Sequence, residues 1–284
     1  MNREPATTPD AQLRAHCTAD ADGRITFHLP TLEAPDPQSA QLLLRLRPKK
    51  GQPEETLHVL DVEDVEAVDG GGLRAVLEPQ HPLSEGRWDV YLLLEPGAPR
   101  QRVRPGLRDL RALVDGHTRD WPSPVAVRVP YATKDGYLAV RAWLRTAHAE
   151  VEGIDVTDHS MTVKARLHGA TLSAGAVVRL RARGPNGAVR TWEPQAESTG
   201  RRFSFTVDYE ELVAADATGS RVWDISVQAQ TAEGAPLIRI GRLFDDVADR
   251  KAIFVYPSAA VGGVTVRPYY TVDNDLSVEV TAAE

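Results

Sequence analysis

The residues able to do chemistry are eight histidines, one cysteine and several clustered carboxylates. All eight histidines fall at or before position 168, and none stands in HxH, HExxH or HxxxH spacing, so no preassembled zinc site is expected. His28 and His168 read as partly exposed residues on or beside strands. Cys17 is the only cysteine, which excludes an intrachain disulfide, and without a partner motif it reads as an inert thiol. No GxSxG, GxxxxGKS/T or GxGxxG occurs, which removes the commonest hydrolase, P-loop and dinucleotide-binding readings. Glu63-Asp64-Val65-Glu66 and Asp245-Asp246 offer oxygen ligands but match no calcium-loop spacing, and they read as solvated, charge-rich loops. No catalytic residue, metal or cofactor is assigned.

What remains are aromatic side chains in loop-like surroundings: Trp121 within Asp120-Trp121-Pro122, Trp192 within Thr191-Trp192-Glu193-Pro194, and the pair Tyr269-Tyr270. An exposed ring can stack on a sugar face while nearby carboxylates and arginines bind hydroxyls. These four residues are the candidate ligand contacts.

The elements that must hold them follow from a repeat, the first thing to seek in a chain. Arg87-Trp88-Asp89-Val90 recurs as Val222-Trp223-Asp224-Ile225, and Leu44-Arg45-Leu46-Arg47 as Leu180-Arg181-Ala182-Arg183. Gly106 answers Gly241, and the stretch from Pro130 to Val140 answers that from Pro268 to Val278. The matches keep their order and their offsets drift only from 135 to 138, the size of ordinary loop insertions. The domain expectation is a polar tail over 1–10, a first unit over 11–146 and a second over 147–284. His148 to Gly153 reads as a joint with little room for a flexible linker.

Within each unit the apolar period is that of strands, as in Ile25-Thr26-Phe27-His28-Leu29 and Phe203-Ser204-Phe205-Thr206-Val207. Turn signals separate them at Asp22-Gly23, Asp69-Gly70-Gly71-Gly72, Gly184-Pro185-Asn186-Gly187 and Glu233-Gly234. Asp135-Gly136 and Asp273-Asn274 read as equivalent turns, and Asp208 as the cap of one short helix. Six or seven short strands per unit predict an all-β fold of two tandem immunoglobulin-like sandwiches. Trp88 and Trp223 are their predicted core indoles.

At 284 residues, with 42% hydrophobic and 26% charged, each half is large and apolar enough to close a core without staples. The net charge of −7, with acids and bases interspersed, argues against a nucleic-acid partner. The N-terminus lacks an apolar signal region, and the longest apolar run, Val90 to Leu94, is far too short to span a membrane. A cytoplasmic location is expected.

The stretches Gly241-Arg242-Leu243-Phe244-Asp245-Asp246-Val247, Ile253-Phe254-Val255-Tyr256-Pro257 and Val266-Arg267-Pro268-Tyr269-Tyr270-Thr271 resemble accessory β-sandwich regions of actinobacterial teichoic-acid-type glycosyltransferases and CDP-glycerol glycerophosphotransferases. The likeness centres on residues 237–280, carries no catalytic residues and lacks the transferase domain. It implies tandem immunoglobulin-like subdomains that serve oligomerisation rather than chemistry. The expected function is thus a non-catalytic module that binds a glycan or a protein partner, with self-association as a further expectation. The alternative is a cofactor-independent isomerase or cyclase with Tyr131, Tyr269, Asp135 or Asp273 lining a small-molecule pocket. A purely structural scaffold is the third reading.

Overall fold

The computed structural model describes residues 13–30, 39–48, 51, 53, 56–65, 72–185, 187–213, 220–231 and 235–283. The polar tail and the turns at Asp69-Gly70-Gly71 and Glu233-Gly234 lie outside them. The chain is mostly strand, with helical turns only at Arg111–Val114, Gly116–Thr118 and Tyr209–Val213 among the described residues. It divides into two compact units, one of residues 1–113 and 126–143, the other of residues 114–125 and 144–284.

Unit 1 contains β1 (Arg14–Ala19), β2 (Ile25–Leu29), β3 (Gln41–Leu46), β4 (Leu57–Val65), β5 (Gly72–Leu77), β6 (Gly86–Leu93), β7 (Gln101–Arg102), β8 (Arg104–Asp109), β9 (Val125–Ala132) and β10 (Leu138–Arg145). They join in the order β8-β1-β2-β5-β4-β3-β6-β10-β9, with β7 beside β6. Unit 2 contains β11 (His148–Val156), β12 (Ser160–His168), β13 (Val177–Ala182), β14 (Val189–Trp192), β15 (Gln195–Ala196) and β16 (Arg202–Asp208). It continues with β17 (Arg221–Gln228), β18 (Leu237–Gly241), β19 (Ala259–Val261), β20 (Val264–Tyr270) and β21 (Leu276–Ala282). Their order is β15-β16-β12-β11-β18-β17-β21-β20-β19, with β13 between β14 and β17. The segment His148 to Gly153, expected as a joint, is the start of β11.

One strand in each unit lets a single sheet fold back on itself. Leu57–Asp61 of β4 pairs with β3, and Val62–Val65 pairs with β5. In unit 2, Leu237–Arg239 of β18 pairs with β17, and Ile240–Gly241 pairs in parallel with β11. Such strand switching is how sandwiches turn corners. Alternate residues of nearly every unit 2 strand then meet in one core around Trp223, Phe205, Leu180, Ile240 and Val278.

The two units share their pairing residue by residue. Trp88 lies opposite Leu46 on β3 and Val140 on β10; Trp223 lies opposite Ala182 on β13 and Val278 on β21. These partners are the ones the repeat offsets require. Both indoles are buried, at 2% and 1% exposure. The closing turns agree as well. Thr133 and Thr271 accept from Gly136 and Asn274 and donate to Tyr137 and Asp275. Gly136 and Asn274 take positive φ, 75° and 60°, where glycine and asparagine are tolerated best. At the one predicted helix, Asp208 Oδ1 accepts from Glu210 N at 2.9 Å, as expected of its N-terminal cap.

Both indoles are fully buried, so Trp88→Ala and Trp223→Ala should each cost ~3–5 kcal/mol of unfolding free energy. Urea titration of each variant checks this; a near-neutral result for either would contradict an equivalent core.

Candidate functional site

Strand alternation puts Trp88 and Trp223 inside and therefore turns Asp89 and Asp224 to the outer face. An arginine from the neighbouring strand end closes on each carboxylate. Arg47 meets Asp89 through Nη2 at 2.6 Å and Nε at 3.0 Å; Arg183 meets Asp224 at 2.7 Å and 2.9 Å. Both are bidentate forks, the geometry in which guanidinium and carboxylate match best. The hydrogen bonds the arginines donate to the two carboxylates raise the pKa of both arginines.

In unit 2 this fork forms one wall of an open cleft of about 420 Å³, also lined by Arg239, Lys251, Tyr269, Asp273 and Asp275. Tyr269 lies opposite Ser277 on β21, and Ser277 Oγ donates to Asp224 Oδ1 at 3.0 Å. Lys251 Nζ stands 5.6 Å from the centre of the Tyr269 ring. Burial raises the Tyr269 pKa, against the pull of Arg183, so the phenol keeps its proton. Arg239 Nη1 reaches Asp275 Oδ2 at 3.4 Å. The cleft thus combines a half-buried aromatic ring with paired donors and acceptors. That is equipment for hydroxyl groups.

The sequence candidates divide between different places. Tyr269 is on strand β20 rather than in a loop, and it lines the cleft. Tyr270, one residue on, alternates inward and is fully buried against Phe254 and Tyr256, so its ring offers no face to a ligand. Trp192, expected in a loop, ends β14 opposite Val178 and packs half-buried on the core. Trp121 stacks on Phe244 at 4.7 Å, and its Nε1 donates to Gly116 O at 2.9 Å. Trp121 and Trp192 do not line the Tyr269 cleft. Arg183, Asp224 and Lys251 were missed as site residues. The first two lie within the repeated Leu-Arg and Trp-Asp motifs, whose period marks the apolar positions but not which of the charged residues between them meet.

Two histidine and carboxylate readings are corrected. His168 is buried, not partly exposed: Trp121 N donates to its Nδ1 at 3.3 Å, and burial lowers its pKa to about 4. Asp245 is not a solvated loop residue; it is an ion-pair partner of the fully buried Arg250. Glu63, by contrast, is an exposed strand residue paired with Arg74 at 2.8 Å. Among the described residues no group of three or more histidine, cysteine or acidic side chains could hold a metal ion. Burial pushes the Cys17 thiol up to about 12, which makes it a poor nucleophile.

Beside the cleft a buried polar network fixes the long connection after β18. Glu150 accepts from Leu243 N at 2.8 Å and Phe244 N at 3.1 Å, and its Oε2 lies 3.0 Å from His148 Nε2. Arg145 Nη1 lies 3.0 Å from His148 Nδ1, which assigns the proton to Nε2. Asn274 completes the latch by accepting from Arg250 N and donating to Val247 O, both at 3.0 Å.

No protein-family model matches the chain, and no curated protein matches it. Among solved structures it is similar to S. aureus TarS. A crystal structure of TarS 217–571 aligns at 14% identity and a TM-score of 0.37, covering 69% of this chain and 45% of that one. A second TarS crystal structure aligns at 14% identity and 0.37, covering 61% and 31%. The chain spans less than half the length of either. No helix among the described residues is long and apolar enough to cross a membrane.

Burial raises the Glu150 pKa from 4.5 to about 8, against the Leu243 and Phe244 amides, so the folded protein holds a proton that the unfolded chain has released between those values. Stability from this group is lost as pH rises through 8. His148, held well below 6.5 by burial, acts oppositely and loses stability as pH falls below 6.5. His168, lowered to about 4, adds to the His148 trend, so between 4.5 and 6.5 the histidines outweigh Glu150 and unfolding free energy rises with pH. Above that, unfolding free energy should fall by up to ~1.4 kcal/mol per pH unit until about pH 8. Urea titrations from pH 5 to 9 test this. The alkaline decline should vanish in Glu150→Gln.

Proposed function

We propose that the chain is a non-catalytic, cytoplasmic binding module of two tandem sandwiches, 11–146 and 147–284, and that the unit 2 cleft takes a neutral glycan. The carrying observation is the Tyr269 ring at the cleft wall, flanked by Lys251 and the Arg183–Asp224 fork. A sugar ring stacks its C–H face on a phenol while its hydroxyls exchange hydrogen bonds with paired charges. The acids support binding rather than proton transfer: Asp224 is occupied by Arg183 and Ser277, and Asp275 by Arg239. A carboxylate engaged in this way is a poor general base. Trp121 and Trp192, each half-buried, are proposed as flanking aromatic contacts outside the cleft. A protein partner and self-association are the competing uses of the same surface.

Affinity electrophoresis through gels carrying dextran, galactomannan or hydroxyethylcellulose tests the reading. At least one polysaccharide should retard the protein. Tyr269→Ala should remove most of that retardation without lowering thermal stability, and Trp121→Ala or Trp192→Ala should weaken it. No retardation by any polysaccharide, or retardation unchanged by Tyr269→Ala, refutes the cleft as a glycan site.

A further inference from the structure

The same outer face of unit 1 has diverged in charge, and the register shows how. Tyr91 lies three residues beyond Trp88 and pairs with Arg102; Ser226 lies three beyond Trp223 and pairs with Arg239. Arg102 and Arg239 are therefore equivalent. In unit 2, Arg239 is answered by Asp275 in the closing turn. In unit 1, the turn position matching Asp275 is Tyr137, and Arg102 stacks on its ring at 4.1 Å. The Arg104 side chain lies against the same ring at 4.9 Å and, among the described residues, otherwise reaches only the Gly136 carbonyl, at 3.4 Å.

One carboxylate serves this group. Asp89 takes the Arg47 fork and also Arg102 Nη2 at 3.2 Å. Arg47 and Arg102 thus share one carboxylate, and Arg104 beside them has no ion-pair partner among the described residues, an excess of two positive charges (3 − 1 = 2). The unit 2 face is balanced: Arg183 pairs with Asp224 and Arg239 with Asp275. The buried Arg145 also reaches Asp275, and the remaining charges lining the cleft, Lys251 and Asp273, are one of each sign. A second feature points to a missing partner. The Tyr131 hydroxyl, close enough to raise the Arg47 pKa, is buried with no hydrogen-bond partner among the described residues.

We infer that the Arg47–Arg102–Arg104 face of unit 1 is a binding site for an oxyanion of the phosphate class. Guanidinium forks match such an anion in shape and charge. Stacking on Tyr91 and Tyr137 holds Arg102 in place, at 5.8 Å and 4.1 Å, so little side-chain freedom remains to be lost on binding. The Tyr131 hydroxyl supplies a neutral donor. This site is separate from the Tyr269 cleft, and the two can fail independently.

Titration of inorganic phosphate into the full chain, at constant ionic strength maintained with chloride and followed by arginine Nε–Hε NMR, tests it. Saturable shifts are expected at Arg47, Arg102 and Arg104. Arg104→Gln should weaken binding about tenfold, the loss of one charge-assisted hydrogen bond. Tyr137→Asp, which copies the unit 2 turn, should remove binding. Tyr269→Ala should leave it unchanged. Linear, non-saturating shifts overturn the site, as does undiminished affinity in Arg104→Gln, a variant that leaves the core untouched. Acetate saturating as tightly as phosphate would also overturn the assignment, by reassigning the site to carboxylates.

Discussion

A buried indole in the middle of a strand leaves its neighbours no choice of side. With Trp88 and Trp223 packed between the folded-over halves of their sheets, the residue after each must face outward, and in both units it is an aspartate. The outer-face forks follow from that constraint. So does the separation of Tyr269 from Tyr270, because adjacent residues of a strand cannot share a face. Sliding β17 by one residue would bury Asp224 and expose Trp223. The cost of an unpaired buried carboxylate makes that register inaccessible.

The copies have kept this frame and changed what hangs on it. A turn residue that is a carboxylate in one unit and a phenol in the other leaves the same arginine satisfied by an ion pair or by a ring. Both solutions hold the guanidinium in place, but the phenol adds no negative charge, so Arg102 must share Asp89 with Arg47. One fold therefore presents a balanced surface in unit 2 and a cationic one in unit 1. Neither change touches the core.

Unit 2 differs further in the polar network under its surface. Glu150, His148, Arg145, Arg250 and Asn274 are all buried. Burying such groups is unfavourable unless their partners are in place, and here the carboxylate has two backbone amides and an imidazole. The network ties the connection after β18 to β11 and to the closing turn. It thereby sets Phe244 beneath Trp121. Asn274 serves twice, accepting the positive φ of the turn and bridging Arg250 to Val247.

The duplication, the strand period, the core indoles and the paired turns were legible in the residues, because period-two alternation and turn chemistry are local properties. So was the absence of the common catalytic motifs. Local pattern could not show which polar residues meet. Arg47 and Asp89 are 42 residues apart and Glu150 and Leu243 are 93 apart, and only strand pairing brings them together. Tyr269 and Tyr270 looked alike in sequence because a strand's direction is visible there but its facing is not, until a core forms to choose the side. The charge contrast between the two faces is likewise a tertiary fact: it arises from which side chains the register sets opposite Arg102 and Arg239, not from composition.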